Sequence, residues 1–129
     1  MTQILVVDDN PMIRKLLGMA LSRHFSVCEA CDGTSAFAAI QRHKPDMVFL
    51  DIMMPYANEG LELLDQLRSN AETAHILVAM VTSRSDASDR EVCMLKGADG
   101  FFSKPFNLGE ITQWAIERLR PGNPGNPVK

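Results

Sequence analysis

The chain has 129 residues, 46% of them hydrophobic and 22% charged, which suits one compact globular domain and leaves no room for a second core. Its formal net charge is −3, and no run of Lys or Arg could follow a phosphate backbone, so we expect no direct nucleic-acid binding. The first ten residues lack a basic region and contain two acids, so we expect no signal peptide, no membrane span and a cytoplasmic location.

The first half of the chain alternates short apolar runs with longer amphipathic stretches, a pattern typical of βα units around a parallel sheet. The strands predicted in this half span residues 4–7, 26–30 and 47–50. Asn10 followed by Pro11 predicts a helix cap and first helical position, and Asp32 begins a turn into a second helix. The residues expected on the buried helix faces are Ile13, Leu16, Leu17, Ala20, Leu21, Ala36, Phe37 and Ile40.

The second half continues the same alternation. Its predicted elements are a helix over residues 60–69, a central strand over 76–81, a helix over 86–96, a short strand over 100–103 and a final helix. Asn107 and Glu110 predict a capping box for that final helix. The residues expected on the buried helix faces are Leu61, Leu64, Leu67, Leu108, Ile111, Ala115 and Leu119. Five strand-and-helix pairs in all predict an α/β protein.

The end of the chain has a different composition from the rest. Residues 120–129 contain three prolines and two glycines and have no apolar periodicity. We therefore predict one domain over residues 1–120 and a flexible Pro/Gly tail over residues 121–129. The stub of a linker or a cloning remnant would have the same composition.

The three cysteines are odd in number, which suits a reducing compartment and argues against a disulfide framework. Cys28 and Cys31 have the spacing of a thioredoxin-like redox motif. That motif lies at the start of the helix after the first strand, whereas these residues run through the predicted second strand. We expect them to be small strand residues.

Polar residues follow four of the predicted strands. Asp8 and Asp9 follow the first strand, Asp51 the third, Thr82 the fourth and Lys104 the fifth. The carboxyl ends of parallel strands share one edge of the sheet, which forms the ligand crevice of an open sheet. In a sheet of order 2-1-3-4-5 that crevice is deepest between strands one and three. The three aspartates should meet there.

Three neighbouring carboxylates repel one another unless a cation compensates them, and a site made of oxygen ligands suits Mg²⁺. Asp51 is then a candidate nucleophile for a phosphoryl group, because a carboxylate can form an aspartyl phosphate. Lys104 and the hydroxyl of Thr82 could hold the phosphoryl oxygens. Lys104 precedes Pro105, so this peptide bond is a candidate for the cis form that would aim the lysine inward.

The segments ILVVDDN, DIMMP, VTS and GADGFFSKPF together resemble the receiver domains of bacterial response regulators, of the stand-alone chemotaxis-regulator type, over residues 4–119. The resemblance implies a flavodoxin-like, doubly wound (βα)5 fold with a five-stranded parallel sheet of order 2-1-3-4-5. It also implies a two-component signalling switch. The phosphoryl group would come from a sensor histidine kinase or a phosphotransfer protein, and helix four, strand five and helix five would form the output face.

The resemblance also implies roles for individual residues. Asp51 would be phosphorylated, Thr82 and Lys104 would contact the phosphoryl group, and Phe101 would occupy the position of the family's switch aromatic. Mg²⁺ would be bound by Asp8, Asp9, Asp51 and the backbone carbonyl of Met53.

Two departures from the family pattern affect the surroundings of this site. One more residue than usual separates Pro55 from Gly60, so we expect a remodelled loop after Asp51. Phe101 lacks the hydroxyl that the family's usual tyrosine carries, which affects the output surface and not the phosphorylation chemistry.

The phosphoryl lifetime should depend on the residues two beyond Asp51 and Thr82, which flank the approach of water in the family. Here these are Met53 and Arg84. A thioether cannot orient a water, and a guanidinium can shield phosphoryl oxygens, so we expect slow dephosphorylation. Alternatively, Arg84 points into solvent and Met53 packs against Met54 or the enlarged loop.

Two other functions use similar residues. A Mg²⁺-dependent phosphatase with an aspartyl nucleophile typically has a second acid two residues after that nucleophile, where this chain has Met53. A pseudo-receiver would be a docking module with an inactive site, which the complete set of acids, Thr82 and Lys104 argues against. We therefore predict a phosphoacceptor that catalyses only its own phosphorylation and dephosphorylation. The cognate kinase, the downstream protein and homodimerisation stay open.

Overall fold

The computed structural model describes residues 2–53 and 58–119. Strands and helices alternate along the chain as β1 Gln3–Val7, α1 Pro11–Leu21, β2 Ser26–Ala30, α2 Gly33–His43, β3 Met47–Leu50, α3 Glu59–Ser69, β4 Leu77–Thr82, α4 Ala87–Leu95, β5 Gly100–Ser103 and α5 Leu108–Leu119. The strands form one parallel sheet in the order β2-β1-β3-β4-β5, which confirms the predicted fold class and strand order. The predicted tail, residues 121–129, lies outside the described residues.

Each face of the sheet carries its own apolar layer, because successive strand side chains point to opposite faces. Leu5, Val48 and Val78 belong to the layer covered by α2, α3 and α4. Ile4 and Phe49 belong to the other layer, covered by α1 and α5. Burial on both faces explains why residues 4–7 of β1 and the whole of β3 are continuous apolar runs without alternating polar residues.

Local signals in the sequence set several helix starts. The Asn10 side chain accepts a hydrogen bond from the Met12 amide at 2.9 Å, ahead of Pro11, as predicted. Asp32 caps α2 and forms a reciprocal capping box with Ser35.

The capping box predicted for α5 forms in one direction only among the described residues. The Asn107 side chain accepts from the Glu110 amide at 3.0 Å, and the exposed Glu110 side chain makes no return bond to Asn107.

Two further details differ from the sequence prediction. Leu16 is 39% exposed, although its spacing placed it on the buried face of α1. The sheet covers the face that carries Leu17 and Leu21, and Leu16 lies to one side of it, toward α5. The fourth strand begins at Leu77 and includes Thr82, one residue later than predicted at both ends.

The longest described helix, α5, has 12 residues. Over the part of the chain that the structure describes, no helix combines the length and apolar character needed to cross a bilayer.

Candidate functional site

The strand register brings Asp8, Asp9 and Asp51 together. Val7 pairs with Leu50 across β1 and β3, and the Asp51 amide donates to the Val7 carbonyl at 3.3 Å. The two residues that follow this pair are therefore neighbours. One carboxylate oxygen from each of the three aspartates lies within 4.8 Å of the others. Asp8 and Asp51 are buried, at 2% and 6% exposure, and Asp9 is exposed.

Lys104 lies between two of these carboxylates. Its Nζ donates to Asp8 Oδ2 at 2.8 Å and to Asp51 Oδ2 at 2.9 Å. The Lys104 amide also donates to the Thr82 carbonyl at 2.9 Å, which continues the β4–β5 ladder by one residue. The Lys104–Pro105 peptide is cis, as suggested by the sequence.

The electrostatics of the cluster follow from burial and from this shared ammonium. Burial raises the pKa of Asp8, and hydrogen bonds from Lys104 and the Asn10 amide offset only part of that effect. Burial alone would lower the pKa of Lys104, but its bonds to Asp8 and Asp51 raise that pKa above its ordinary value. Lys104 is therefore charged at neutral pH. One ammonium faces three carboxylates, which leaves excess negative charge.

The donor set fits a hard divalent cation. Mg²⁺ prefers oxygen ligands, and two ligands on one ion lie at most about 4.2 Å apart. One carboxylate oxygen from each aspartate already lies within 4.8 Å of the others, so the three side chains could share one ion once they approach one another further. Met53, the further ligand implied by resemblance, lies two residues after Asp51, and its amide donates to Asp51 Oδ1 at 3.3 Å.

Thr82 and Arg84 form the side of the site that β4 supplies. Thr82 is 1% exposed, and its hydroxyl oxygen accepts from the Arg84 amide at 3.1 Å, so the hydroxyl proton stays available for another acceptor. The Arg84 guanidinium donates to Asn58 in the loop before α3 at 2.7 Å and to Asp89 of α4 at 3.0 Å. It is thus held between two elements instead of pointing freely into solvent.

Phe101 lies in β5, half-buried, with its side chain against the apolar layer under α2, α3 and α4. The Arg90 guanidinium of α4 lies 5.5 Å from the centre of its ring, within range of a cation–π contact. The aromatic position therefore touches α4 directly, and it lies in β5, the strand that Lys104 follows.

Sequence reasoning missed two residues that shape the site. A Cβ on Gly60 would lie 1.8 Å from the Asp51 carbonyl oxygen, so only glycine lets α3 pack this closely behind Asp51. Arg14 donates to the Asp8 carbonyl at 2.8 Å. Spacing along the chain could not identify either contact, because each depends on how a helix docks on the sheet. Residues 55–57 of the predicted remodelled loop lie outside the described residues.

Comparison with known proteins gives a consistent result. A family model described as the response regulator receiver domain matches residues 4–116. Response regulator MprA of Mycobacterium leprae is 41% identical over 128 residues, which are 98% of this chain and 55% of that protein. Response regulator MprA of Mycolicibacterium vanbaalenii is 43% identical over 123 residues, 95% of this chain and 52% of that protein. The chain spans about half the length of these curated relatives.

Solved structures show the same similarity. The Vibrio cholerae chemotaxis protein CheY4 is 27% identical, with a TM-score of 0.83 over 92% of this chain and 99% of that one. The receiver domain of NtrX from Brucella abortus is 32% identical, with a TM-score of 0.82 over 92% of this chain and 98% of that one.

Proposed function

Because the chain belongs to the family of response regulator receiver domains, we propose that it is a phosphorylation-dependent switch whose phosphoacceptor is Asp51. One observation carries the proposal. The Lys104 ammonium joins the buried carboxylates of Asp8 and Asp51 at the carboxyl edge of the sheet, with Asp9 beside them. A nucleophilic carboxylate, a fixed cation and surplus acidic ligands are the groups that phosphoryl transfer requires.

In the proposed reaction a carboxylate oxygen of Asp51 attacks the phosphorus of a phosphohistidine on a histidine kinase or phosphotransfer protein. The new P–O bond forms as the P–N bond breaks, and the electron pair of the P–N bond leaves with the imidazole. Lys104, already 2.9 Å from Asp51 Oδ2, would bind an oxygen of the transferred group as a compact charge. The Thr82 hydroxyl would donate to another.

The metal would be held by Asp8, Asp9, Asp51 and the Met53 carbonyl. When bound, Mg²⁺ supplies positive charge that lowers the repulsion between the acidic cluster and an anionic donor. The chain's own contribution is to hold the ligands on rigid strand ends, so that little rearrangement is needed before transfer.

We propose that the output leaves through the face formed by α4, β5 and α5 and acts on a downstream protein. Lys104 follows β5 directly, and Phe101 of that strand contacts Arg90 of α4. A movement of Lys104 or Thr82 toward a phosphoryl group would therefore be transmitted to residues that face α4. The chemistry alters only this chain, so the domain is a signalling element and not an enzyme acting on a separate substrate.

The test is to incubate the chain with acetyl phosphate or phosphoramidate and Mg²⁺ and to measure intact mass. We expect one phosphoryl group on the wild type and none on Asp51→Asn. Asp46→Asn is the matched control, because Asp46 is an exposed carboxylate before β3, away from the site. Equal modification of Asp51→Asn and wild type would refute the assignment of Asp51, and unchanged modification after chelation would refute the metal requirement.

A further inference from the structure

Arg14 connects three elements at the base of the acidic cluster. It lies in the first turns of α1, and its side chain is 20% exposed. Its Nη1 donates to the carbonyl oxygen of Asp8 at 2.8 Å, and its Nε donates to Glu29 of β2 at 3.1 Å. One guanidinium therefore ties the end of β1 to the helix that follows it and to the neighbouring strand.

The contact with Asp8 is made at the end of β1, where the sheet still pairs the amide of this residue. The Asp8 amide still donates to the Ala30 carbonyl at 3.2 Å, but β1 ends at Val7 and the chain then turns toward the helix. Arg14 supplies the partner for the carbonyl on the other side of the same residue. Charged donors make stronger hydrogen bonds than neutral ones, and Glu29 fixes the orientation of this donor.

With Arg14 included, the carbonyl and both carboxylate oxygens of Asp8 have defined partners. Oδ1 accepts from the Asn10 amide at 2.9 Å, and Oδ2 accepts from Lys104 at 2.8 Å. The Asn10 bond is confined to the turn itself and would move with it. Three groups anchor Asp8 from outside the turn: the Ala30 carbonyl binds its amide, Lys104 binds its carboxylate, and Arg14 binds its carbonyl.

We propose that Arg14 is a positioning residue for the magnesium site, which holds the Asp8 backbone so that its carboxylate faces Asp9 and Asp51. This inference rests on the proposed function. Groups that orient a metal ligand commonly change metal affinity tenfold to a hundredfold when removed. Because Asp8 keeps its side-chain partners, we expect Arg14→Met to weaken Mg²⁺ binding by about tenfold, the lower end of that range.

The direction of the change separates positioning from simple electrostatics. Arg14 is a cation close to a site for another cation, so removing its charge alone should make Mg²⁺ bind more tightly. Loss of positioning should make it bind more weakly. Lys15→Met is the matched control, because Lys15 is an exposed cation of the same helix.

The experiment is calorimetric titration of Mg²⁺ into each variant, with the melting temperature measured in chelator. We expect Arg14→Met to raise the Kd about tenfold, Arg14→Lys to recover part of the loss and Lys15→Met to change it less than twofold. At saturating Mg²⁺ the phosphorylation rate of Arg14→Met with acetyl phosphate should return to near that of the wild type. Should Arg14→Met fail to fold, Arg14→Gln replaces it with the same expected direction.

Unchanged or tighter Mg²⁺ binding by the Arg14 variants, with or without a lower melting temperature, would overturn the positioning role. A wild type that binds no Mg²⁺ would instead refute the proposed metal site, and with it this role. A wild type that binds Mg²⁺ while Asp51 is never phosphorylated would refute the proposed function and leave the affinity comparison valid.

Discussion

One basic side chain lies among oxygen atoms at each of two edges of the sheet, the one formed by the amino ends of the strands and the one formed by their carboxyl ends. The local charges balance at the first edge and not at the second. At the amino edge Arg68 donates to Asp99 at 2.9 Å, to the Gly97 carbonyl at 2.9 Å and to the Ile76 carbonyl at 2.7 Å. Asp99 also accepts from the Val78 amide at 2.9 Å. One guanidinium meets one carboxylate, and the charges balance.

At the carboxyl edge the balance is different. Lys104 is shared by Asp8 and Asp51, and Asp9 adds a third carboxylate nearby. An ion pair whose charges balance can stabilise the fold, whereas the surplus of carboxylates at the carboxyl edge would favour the further cation proposed above. The four predictions below test this contrast, from the largest expected effect to the smallest.

The largest effect should follow removal of Lys104. Losing one preorganised charge at a phosphoryl site typically slows the reaction at least a hundredfold, about 2.7 kcal/mol of barrier. We expect Lys104→Ala to bind Mg²⁺ but to be phosphorylated about a hundredfold more slowly. We also expect smaller amide NMR shifts near Phe101 on adding beryllofluoride, a phosphoryl mimic. Thr82→Ala should reduce the same shifts.

The matched control is Lys96→Ala, since Lys96 pairs with Asp65 on the surface at 3.0 Å. Wild-type shifts near Phe101 in either Lys104→Ala or Thr82→Ala would contradict the proposed link to the output face.

Removal of Arg68 should affect stability and not signalling. Arg68→Met leaves Asp99 and two half-buried carbonyls without their charged donor, which should cost about 2–3 kcal/mol of unfolding free energy. Because this cluster needs no metal, the loss should be equal with Mg²⁺ and with chelator. Urea denaturation measures it, and Arg42→Met, at an exposed position of α2, is the control. A loss that depends on Mg²⁺ would show that the two edges are not independent.

The bonds of Arg84 should lengthen the phosphoryl lifetime. Its guanidinium bonds to Asn58, directly before α3, and to Asp89 of α4, and a guanidinium held there, two residues beyond Thr82, can shield phosphoryl oxygens from water. We expect Arg84→Ala to accelerate loss of phosphate from purified phosphoprotein by about tenfold, roughly 1.4 kcal/mol of barrier. Met53→Asn should act in the same direction, because an amide can orient a water where a thioether cannot.

Asn58→Gly tests whether the effect of Arg84 depends on its hydrogen bond to Asn58. Glycine accepts the left-handed conformation of this residue, φ 68°, but has no side chain to make that bond. If neither Arg84→Ala nor Met53→Asn shortens the lifetime, these residues do not restrict the approach of water.

The smallest effect concerns a carboxylate that is paired entirely within its own helix turn. Hydrogen bonds from the Ser35 amide and hydroxyl hold the pKa of Asp32 below its ordinary value of 3.8. A carboxylate whose pKa is lower in the folded state than in the unfolded state stabilises the protein at pH values above its unfolded-state pKa. This contribution is lost as the pH falls from the unfolded-state pKa toward the folded-state pKa. Asp32→Asn should therefore cost more stability at pH 6 than at pH 3 in urea denaturation. An equal cost at both values would assign the effect to packing.

Much of the architecture could be predicted from local patterns. Residues 4–7 and 47–50 are apolar without interruption because the strands they form are covered on both sides, and Asn10 caps its own helix. Both signals lie within a few residues of the element they define. The same holds for the polar residues at strand ends, whose position relative to the sheet edge follows once strands are assigned.

Other features could not be predicted in this way, because they depend on how distant segments meet. Leu16 satisfies the periodicity of a buried position, yet the width of the face that the sheet covers leaves it 39% exposed. In the sequence Arg14 cannot be distinguished from other cations on helix surfaces, because its partner Glu29 lies in β2.

The sequence alone determined the alternation of strands and helices, the acids and the lysine at the strand ends, and the family that these motifs resemble. Those properties depend on residue type and short spacing. The tertiary structure decided which charges meet: Lys104 between Asp8 and Asp51, Arg14 on the Asp8 carbonyl, and Arg68 as a closed cluster at the far edge. The Lys104 and Arg68 contacts join residues far apart in the chain, and all of these contacts need the packing of helices on a twisted sheet to bring the atoms within hydrogen-bonding distance.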